Sequence, residues 1–322
     1  MSAGIDPGCV RLRLAAAAGR VGAVEVASER PSVAQVLRGR EADAAVRLVP
    51  LLFALCGKAQ GCAAMLALAA ARGQECVTHL DSAIQTEVMR EHLWRWLLDL
   101  PPQLGEAPMR EEFIAAVGWI AQARRQELGA LLAGPRIADL CKRLLTTEDV
   151  ADPRPALLPA LDASASLTCW PTLDAQFCRQ PHWRGNAAET GAIARRQGRA
   201  EIVAQAFAAR WLARLEELRD WAADRARVGA GGTASAAHVG AGRGRSLVET
   251  ARGLLMHEIV LDGEHIGDYS IVAPTEWNFH PQGPLAGWLA GRDAGDRDVL
   301  YAFAARAVAA LDPCVRWELE WL

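Results

Sequence analysis

Val10, Leu12 and Leu14 alternate with Arg11 and Arg13, and after Gly19-Arg20 the alternation resumes with Val24 and Val26. A period of two marks a strand with one face buried, so the pattern predicts an N-terminal hairpin. Beyond it the period lengthens to that of helices. Pro31-Ser32 opens a short helix reaching Leu37, and a second helix begins near Glu41 and runs to Leu52. The pattern breaks at Cys56-Gly57, where Gly57 gives the backbone freedom for a tight turn, and resumes from Cys62 to Ala71. Cys56 is thereby placed at a helix junction.

Ser82 and Gln85 have capping-box spacing, and Ile84, Val88, Leu93 and Leu97 form an apolar face that Pro101-Pro102 ends. Further helices are predicted over 109–132, 135–145 and 195–227, the last with Ile202, Ala206, Trp211, Leu215 and Leu218 near one face. Residues 152–161 are proline-rich and read as irregular, and 168–183 show no clear period. Residues 229–246 are a Gly/Ala/Ser tract with little to offset the entropy of ordering, and they read as a flexible loop ahead of a motif-bearing segment, 247–322. Within that segment 258–261 and 266–273 flank Asp262-Gly263 as a second hairpin, and 298–311 form a helix that Pro313 stops. The expected fold is a single α+β domain over 1–322, mainly α with two small β-hairpins.

Alanine is abundant and Lys58 and Lys142 are the only lysines, so helix propensity is discounted in favour of periodicity. A formal charge of −3 argues against a nucleic-acid partner. The longest apolar runs, 49–56 and 61–71, fall short of the ~18 residues a membrane span needs. The first residues lack a basic stretch followed by an apolar one, so a cytoplasmic protein is expected, with its eight cysteines reduced.

Asp312-Pro313-Cys314 puts a thiol just after a helix, and a soft metal centre needs more than one protein thiolate. The other cysteine in a comparably special setting is Cys56, so the fold is expected to bring Cys56 and Cys314 together. Cys9, Cys62, Cys76 and Cys141 read as small buried hydrophobes, with Cys62 a possible accessory to Cys56 by proximity. Cys169, Cys178 and His182 fit no common zinc spacing. Trp94, Trp211 and Trp277 read as core and His257 and His280 as structural, whereas Trp317 and Trp321 flank the end of the chain, where they could cap the site or meet a partner.

Glu249-Thr250-Ala251-Arg252-Gly253, His257, Ala273-Pro274-Thr275-Glu276-Trp277-Asn278 and Asp312-Pro313-Cys314 resemble, in order and spacing, the C-terminal third of nickel-iron hydrogenase large subunits. The Cys56-Gly57 stretch is similar to that family's first cysteine pair. The resemblance implies a large-subunit-like helical core. It also implies that Arg252, Pro274 and Thr275 match the positions that hold the cyanides of an iron-dicyano-carbonyl unit. A guanidinium and a hydroxyl suit an anionic nitrogen acceptor.

The departures carry the functional expectation. In the large subunits each pair supplies one terminal nickel ligand and one thiolate bridging nickel and iron; here the second positions are Ala59 and Trp317. The neighbouring arginine and histidine fall on Ala54 and Ala63, and an N-terminal glutamate on Pro7. The chain thus resembles the accessory paralogues called HupK or HoxV, which implies a non-catalytic maturation protein and not an enzyme. Its cargo would be the Fe(CN)2CO unit, held transiently on Cys56 and Cys314 without nickel. Its partners would be other hydrogenase maturation factors and the apo large subunit. Three alternatives stay open: a metal-free chaperone for hydrogenase subunits derived from a degenerate large subunit; for Arg252, a structural ion pair with Glu249; and for Thr275, an ordinary strand-end residue.

Overall fold

The computed structural model describes residues 8–29, 33–53, 55–75, 81–147, 150, 156–158, 167, 170–196, 205–225 and 234–322. Pro7, Pro31, Ser32, Ala54, Cys76, Cys169 and Ile202, and the stretches 197–204 and 226–233, lie outside the described residues.

The alternating N-terminal residues form the antiparallel pair β1 (Cys9–Ala17) and β2 (Arg20–Glu29). Its two-residue turn is Ala18-Gly19, both at positive φ, which matches the twist of the flanking strands. Val10, Leu12 and Leu14 are buried on one face, while Arg11 and Arg13 on the other pair with Glu29 and Glu320. Four helices follow: α1 (Val33–Leu37), α2 (Ala42–Leu52), α3 (Gly57–Ala71) and α4 (Asp81–Trp94). The expected break before Cys62 does not occur, because α3 is continuous from Gly57. Nor does Gly57 take a positive φ; a Cβ there would lie 2.9 Å from the Pro50 carbonyl oxygen, so closeness between α2 and α3 is what demands glycine.

Pro101-Pro102 does not end the next helix either. The chain passes from α4 through a π turn (Arg95–Asp99) into α5 (Leu100–Gln103). The Leu97 carbonyl, which Pro101 cannot serve, accepts the Met109 N–H at 2.7 Å instead. The single helix expected over 109–132 is two, α6 (Arg110–Ala121) and α7 (Arg125–Leu132), separated at Ala123 with φ +54. α8 (Pro135–Thr146), β3 (Ala156–Leu157), α9 (Ala175–Arg179), β4 (Ala188–Glu189) and α10 (Ala192–Arg195) lead to α11 (Ala206–Ala222). Of the helix expected over 195–227, then, the described part is chiefly α11.

The tract expected to be a flexible loop contributes β5 (Ala234–Gly240) and β6 (Arg243–Thr250), the first half of a four-stranded antiparallel sheet completed by β7 (Gly253–Asp262) and β8 (His265–Val272). Small residues here reward close packing. A Cβ on Gly244 would fall 2.1 Å from the Ala67 carbonyl oxygen, so α3 lies directly on β6, and the Ser246 hydroxyl donates to the Ala63 carbonyl at 2.7 Å. The second hairpin is thus part of a larger sheet.

α12 (Pro274–Asn278), α13 (Pro284–Leu289) and α14 (Arg297–Leu311) complete the helices. The last residues form β9 (Arg316–Trp321), parallel to β1 with Leu12 opposite Leu319. Trp317 and Trp321, expected at an exposed end, therefore sit in a three-stranded sheet. Three large apolar clusters support this arrangement. α3, α4, α6, α7, α8 and α11 share one core; β1, β2, α13 and α14 share a second; α2 and α3 pack on β7 and β8 in a third. Among the described residues no helix is long and apolar enough to cross a membrane.

Candidate metal-binding site

The start of α3, the middle of α4, the β6–β7 turn, α12 and the end of α14 converge on one point. Cys56 is the residue before the first turn of α3, and its carbonyl accepts the Gln60 N–H. The next two amides of that turn, Lys58 and Ala59, donate to the Glu87 carboxylate at 2.8 and 3.1 Å. Glu87 thus reaches across from α4 to cap the helix on which Cys56 is mounted. Burial, and then the neighbouring Cys314, push the Cys56 thiol up to about 12; Arg252 pulls it back and Glu87 opposes that. The Gln60 side-chain amide donates to its sulfur at 3.8 Å.

Cys314 is delivered by α14. Asp312 stops that helix in the left-handed conformation, φ +57, with its N–H donated to Val308, and Pro313 then prevents continuation. The Cys314 sulfur lies 3.2 Å from the Thr275 hydroxyl, and the Cys314 N–H lies 3.5 Å from the same oxygen. Thr275 is held by α12, where Pro274 occupies the first helical turn. One short helix therefore presents both matched residues beside the thiol.

Arg252 occupies the two-residue turn between Thr250 and Gly253. Gly253 has φ +126, and a Cβ there would come within 2.3 Å of Thr190, so the turn is pressed against the loop before α10. The Arg252 guanidinium is buried. It meets Glu91 at 3.2 Å and Asp312 at 3.2 Å, not Glu249, whose partner is Arg195 at 2.8 Å. The alternative pairing is thereby corrected: the buried acids nearest Arg252 come from α4 and from the end of α14. Asp312 also accepts from Arg95 at 2.7 Å. Burial disfavours its charge, but Arg252, Arg95 and Arg214 together hold its carboxyl well below the usual range. Behind them Arg195 bridges Glu217 and Glu249, and His92 bonds Glu217 at 2.8 Å.

Cys56, Cys314, Arg252, Pro274 and Thr275 are thus gathered, whereas Cys62 and Trp317 are not part of the gathering. Cys62 is buried in the helical core, and Trp317 stacks on Tyr301 at 5.2 Å over the second core. Trp94, expected in the core, is 41% exposed with its ring against Phe113. Glu87, Glu91, Arg95 and Gln60 were missed by sequence reasoning. A signal for three of them existed: Glu87, Glu91 and Arg95 fall at helical spacing beside Ile84 and Val88, a charged line inside an apolar face. Among the described residues no three His, Cys, Asp or Glu side chains are grouped to hold a metal ion; the two sulfurs stand beside a guanidinium and a hydroxyl.

The chain is 31% identical to the hydrogenase expression/formation protein HupK of Azotobacter vinelandii, over 94% of its own length and 95% of that protein. It is 32% identical to the hydrogenase expression/formation protein HoxV of Cupriavidus necator, with 92% of each covered. The chain belongs to the HupK/HoxV family of hydrogenase expression/formation proteins. A family profile described as nickel-dependent hydrogenase matches residues 189–315, the span from β4 to just past Cys314. Among solved structures, the nickel-iron-selenium hydrogenase of Desulfovibrio vulgaris Hildenborough shares the fold, with a TM-score of 0.66 at 15% identity over 93% of this chain and 94% of that one. In HupK/HoxV family terms, the α+β body is a hydrogenase large-subunit-like fold.

Proposed function

We propose that this protein is a non-catalytic accessory protein of nickel-iron hydrogenase maturation, which holds the Fe(CN)2CO unit on Cys56 and Cys314 for delivery to the apo large subunit. The observation that supports the reading is the meeting of the two half-buried thiols with the buried Arg252 guanidinium and the Thr275 hydroxyl. The donor set fits such a cargo. Sulfur suits a low-valent iron, and the guanidinium and hydroxyl are the donors a bound cyanide nitrogen requires.

The chain's residues divide the work of holding and releasing. Cys56 and Cys314 bind; Thr275, fixed by α12, orients Cys314; Arg252, locked between Glu91 and Asp312, keeps one positive charge facing an anionic cargo. Loading requires both thiols to surrender protons, so a Cys56 thiol pushed up to about 12 couples capture to proton release. Rising pH favours capture and falling pH favours release. With Ala59 and Trp317 at the second positions, neither bridging thiolate is present and no nickel is expected. Two thiolates hold a unit that must be handed on less firmly than four.

The test is an infrared spectrum of protein purified without oxygen from cells expressing the maturation partners. Cyanide and carbonyl stretching bands in the parent, absent from folded Cys56→Ala and Cys314→Ala variants, are expected. Full hydrogenase maturation by the double alanine variant would sink the scaffold reading and leave the metal-free chaperone in its place.

A further inference from the structure

Behind Cys56, three uncharged polar side chains cross the interface between α3 and the four-stranded sheet. Tyr269 on β8 bonds His257 on β7, Oη to Nδ1, at 2.8 Å; His257 Nε2 bonds Gln60 Oε1 at 2.9 Å; Gln60 Nε2 reaches the Cys56 sulfur at 3.8 Å. All three are at most 2% exposed, and one end of the line terminates among Ile259, Ile266 and their apolar neighbours. Fully buried polar groups in such a place demand a reason, because each must be satisfied by the others.

The chemistry of each group fixes the direction of the line. A carboxamide oxygen can only accept, so His257 Nε2 carries the proton and donates. Its Nδ1 is then the acceptor and takes the Tyr269 O–H. Gln60 has its N–H2 left to point at sulfur, as a donor. The opposite polarity would turn the Tyr269 proton loose, and Tyr269 Oη has no other hydrogen-bond partner among the described residues. Burial alone drives the His257 pKa down, to about 3, so the ring is neutral and the line adds no net charge to the pocket.

We propose that Gln60, His257 and Tyr269 form a one-way positioning column that aims a single N–H donor at the Cys56 sulfur and thereby sets that sulfur's orientation and how strongly it donates as an iron ligand. This deepens the scaffold reading and rests on it for its iron-dependent half. A donor aimed at sulfur fixes the direction of one of its lone pairs and withdraws electron density from a sulfur bound to iron. The bond to the cargo is softened without being lost.

Gln60→Met keeps the volume and removes the donor; Tyr269→Phe removes the far anchor without touching the pocket. The first readout needs no iron: the 15N chemical shifts of the His257 ring in the metal-free full-length protein, where a protonated Nε2 and an accepting Nδ1 are expected. Gln60→Met, which leaves the Nε2–H without its acceptor, is expected to shift the Nε2 signal, and Tyr269→Phe, which leaves Nδ1 without its donor, to shift the Nδ1 signal. The second readout is infrared: with iron loaded, the carbonyl band of Gln60→Met should move to lower wavenumber, because a sulfur relieved of its N–H donates more. The opposite tautomer, or unchanged ring shifts in the folded variants, would reduce the column to packing and overturn the proposal, and Tyr269→Phe serves that purpose if Gln60→Met does not fold. Absence of iron bands in the parent, with the ring shifts as expected, would fail the scaffold reading while leaving the column standing.

Discussion

Asp312→Asn is the substitution on which the electrostatics of this fold bear most directly. Asparagine keeps the shape and tolerates the left-handed backbone at φ +57, so the change isolates the charge. Asp312 faces Arg95 at 2.7 Å and Arg252 at 3.2 Å, with Arg214 also lowering its pKa. At 3 Å and an effective dielectric near 20, each contact is worth roughly 5 kcal/mol of attraction. Much of that is offset by the desolvation of the carboxylate, and breaking one side of a buried ion pair typically leaves a net loss of about 3–5 kcal/mol. With an unfolding entropy of about 2 cal/mol/K per residue, a chain of this size should lose roughly 4–7 °C in Tm. Differential scanning calorimetry at pH 7 measures it, with Asp99→Asn as control, since that half-exposed partner of Arg95 should cost no more than about 1 kcal/mol. The sign with pH is also fixed. A carboxyl held below its ordinary value contributes fully above about pH 4 and is lost as pH falls below it. Parent and variant should therefore converge in acid. A Tm within 1 °C of the parent at pH 7 would refute the idea that Asp312 neutralises the three guanidinium groups.

Two other outcomes follow from the same contacts. Gly253→Ala drives a Cβ to within 2.3 Å of Thr190 in a backbone conformation that alanine avoids, and should cost at least about 2–3 kcal/mol in urea denaturation while displacing Arg252 and reducing iron content; an unaltered midpoint would mean that the β6–β7 turn is not clamped as described. His257, buried neutral with its pKa driven from 6.5 to about 3, binds its proton later than the unfolded chain does. Its stabilisation is complete above about pH 6.5 and drains as pH falls towards 3, by roughly 4–5 kcal/mol in all. The urea midpoint should accordingly drop between pH 6.5 and about 5, above the range of most carboxylates, with the lowered His92 and His280 adding in the same direction, and a flat profile there would contradict a neutral His257.

The parts of this fold carried by strong local patterns could be read directly from residues. The Val10, Leu12 and Leu14 alternation gave β1, and Asp312-Pro313 marked the end of α14. β5 and β6 were illegible because Gly, Ala and Ser carry no periodic apolar signal; what orders them is the closeness of α3, a tertiary fact. β9 was illegible for a different reason, since a parallel strand pairing the two ends of the chain leaves no local trace. At the site, Cys56, Cys314, Arg252 and Thr275 were legible because their motifs are contiguous, while Glu87, Glu91 and Gln60 act across elements and belong to no short motif.

The two positions matched to bridging thiolates in the resembling large subunits, Ala59 and Trp317, are both built into the packing of the fold. Ala59 is fully buried in the first turn of α3, its N–H given to Glu87, and enlarging so enclosed an alanine typically costs about 1–3 kcal/mol. Trp317 lies opposite Val10 in the β1–β9 ladder and stacks on Tyr301, so its replacement by a small side chain would strip the sheet of a large apolar contact. One position has been absorbed into a helix cap and the other into a sheet. Restoring four thiolates would mean rebuilding both ends of the chain's packing, not exchanging two residues. The charged cage of Glu91, Arg252, Asp312 and Arg95 lies beside the two thiols that remain. Under the proposed function, two thiols beside one buried guanidinium, without bridging ligands, suit a metal unit held only in transit.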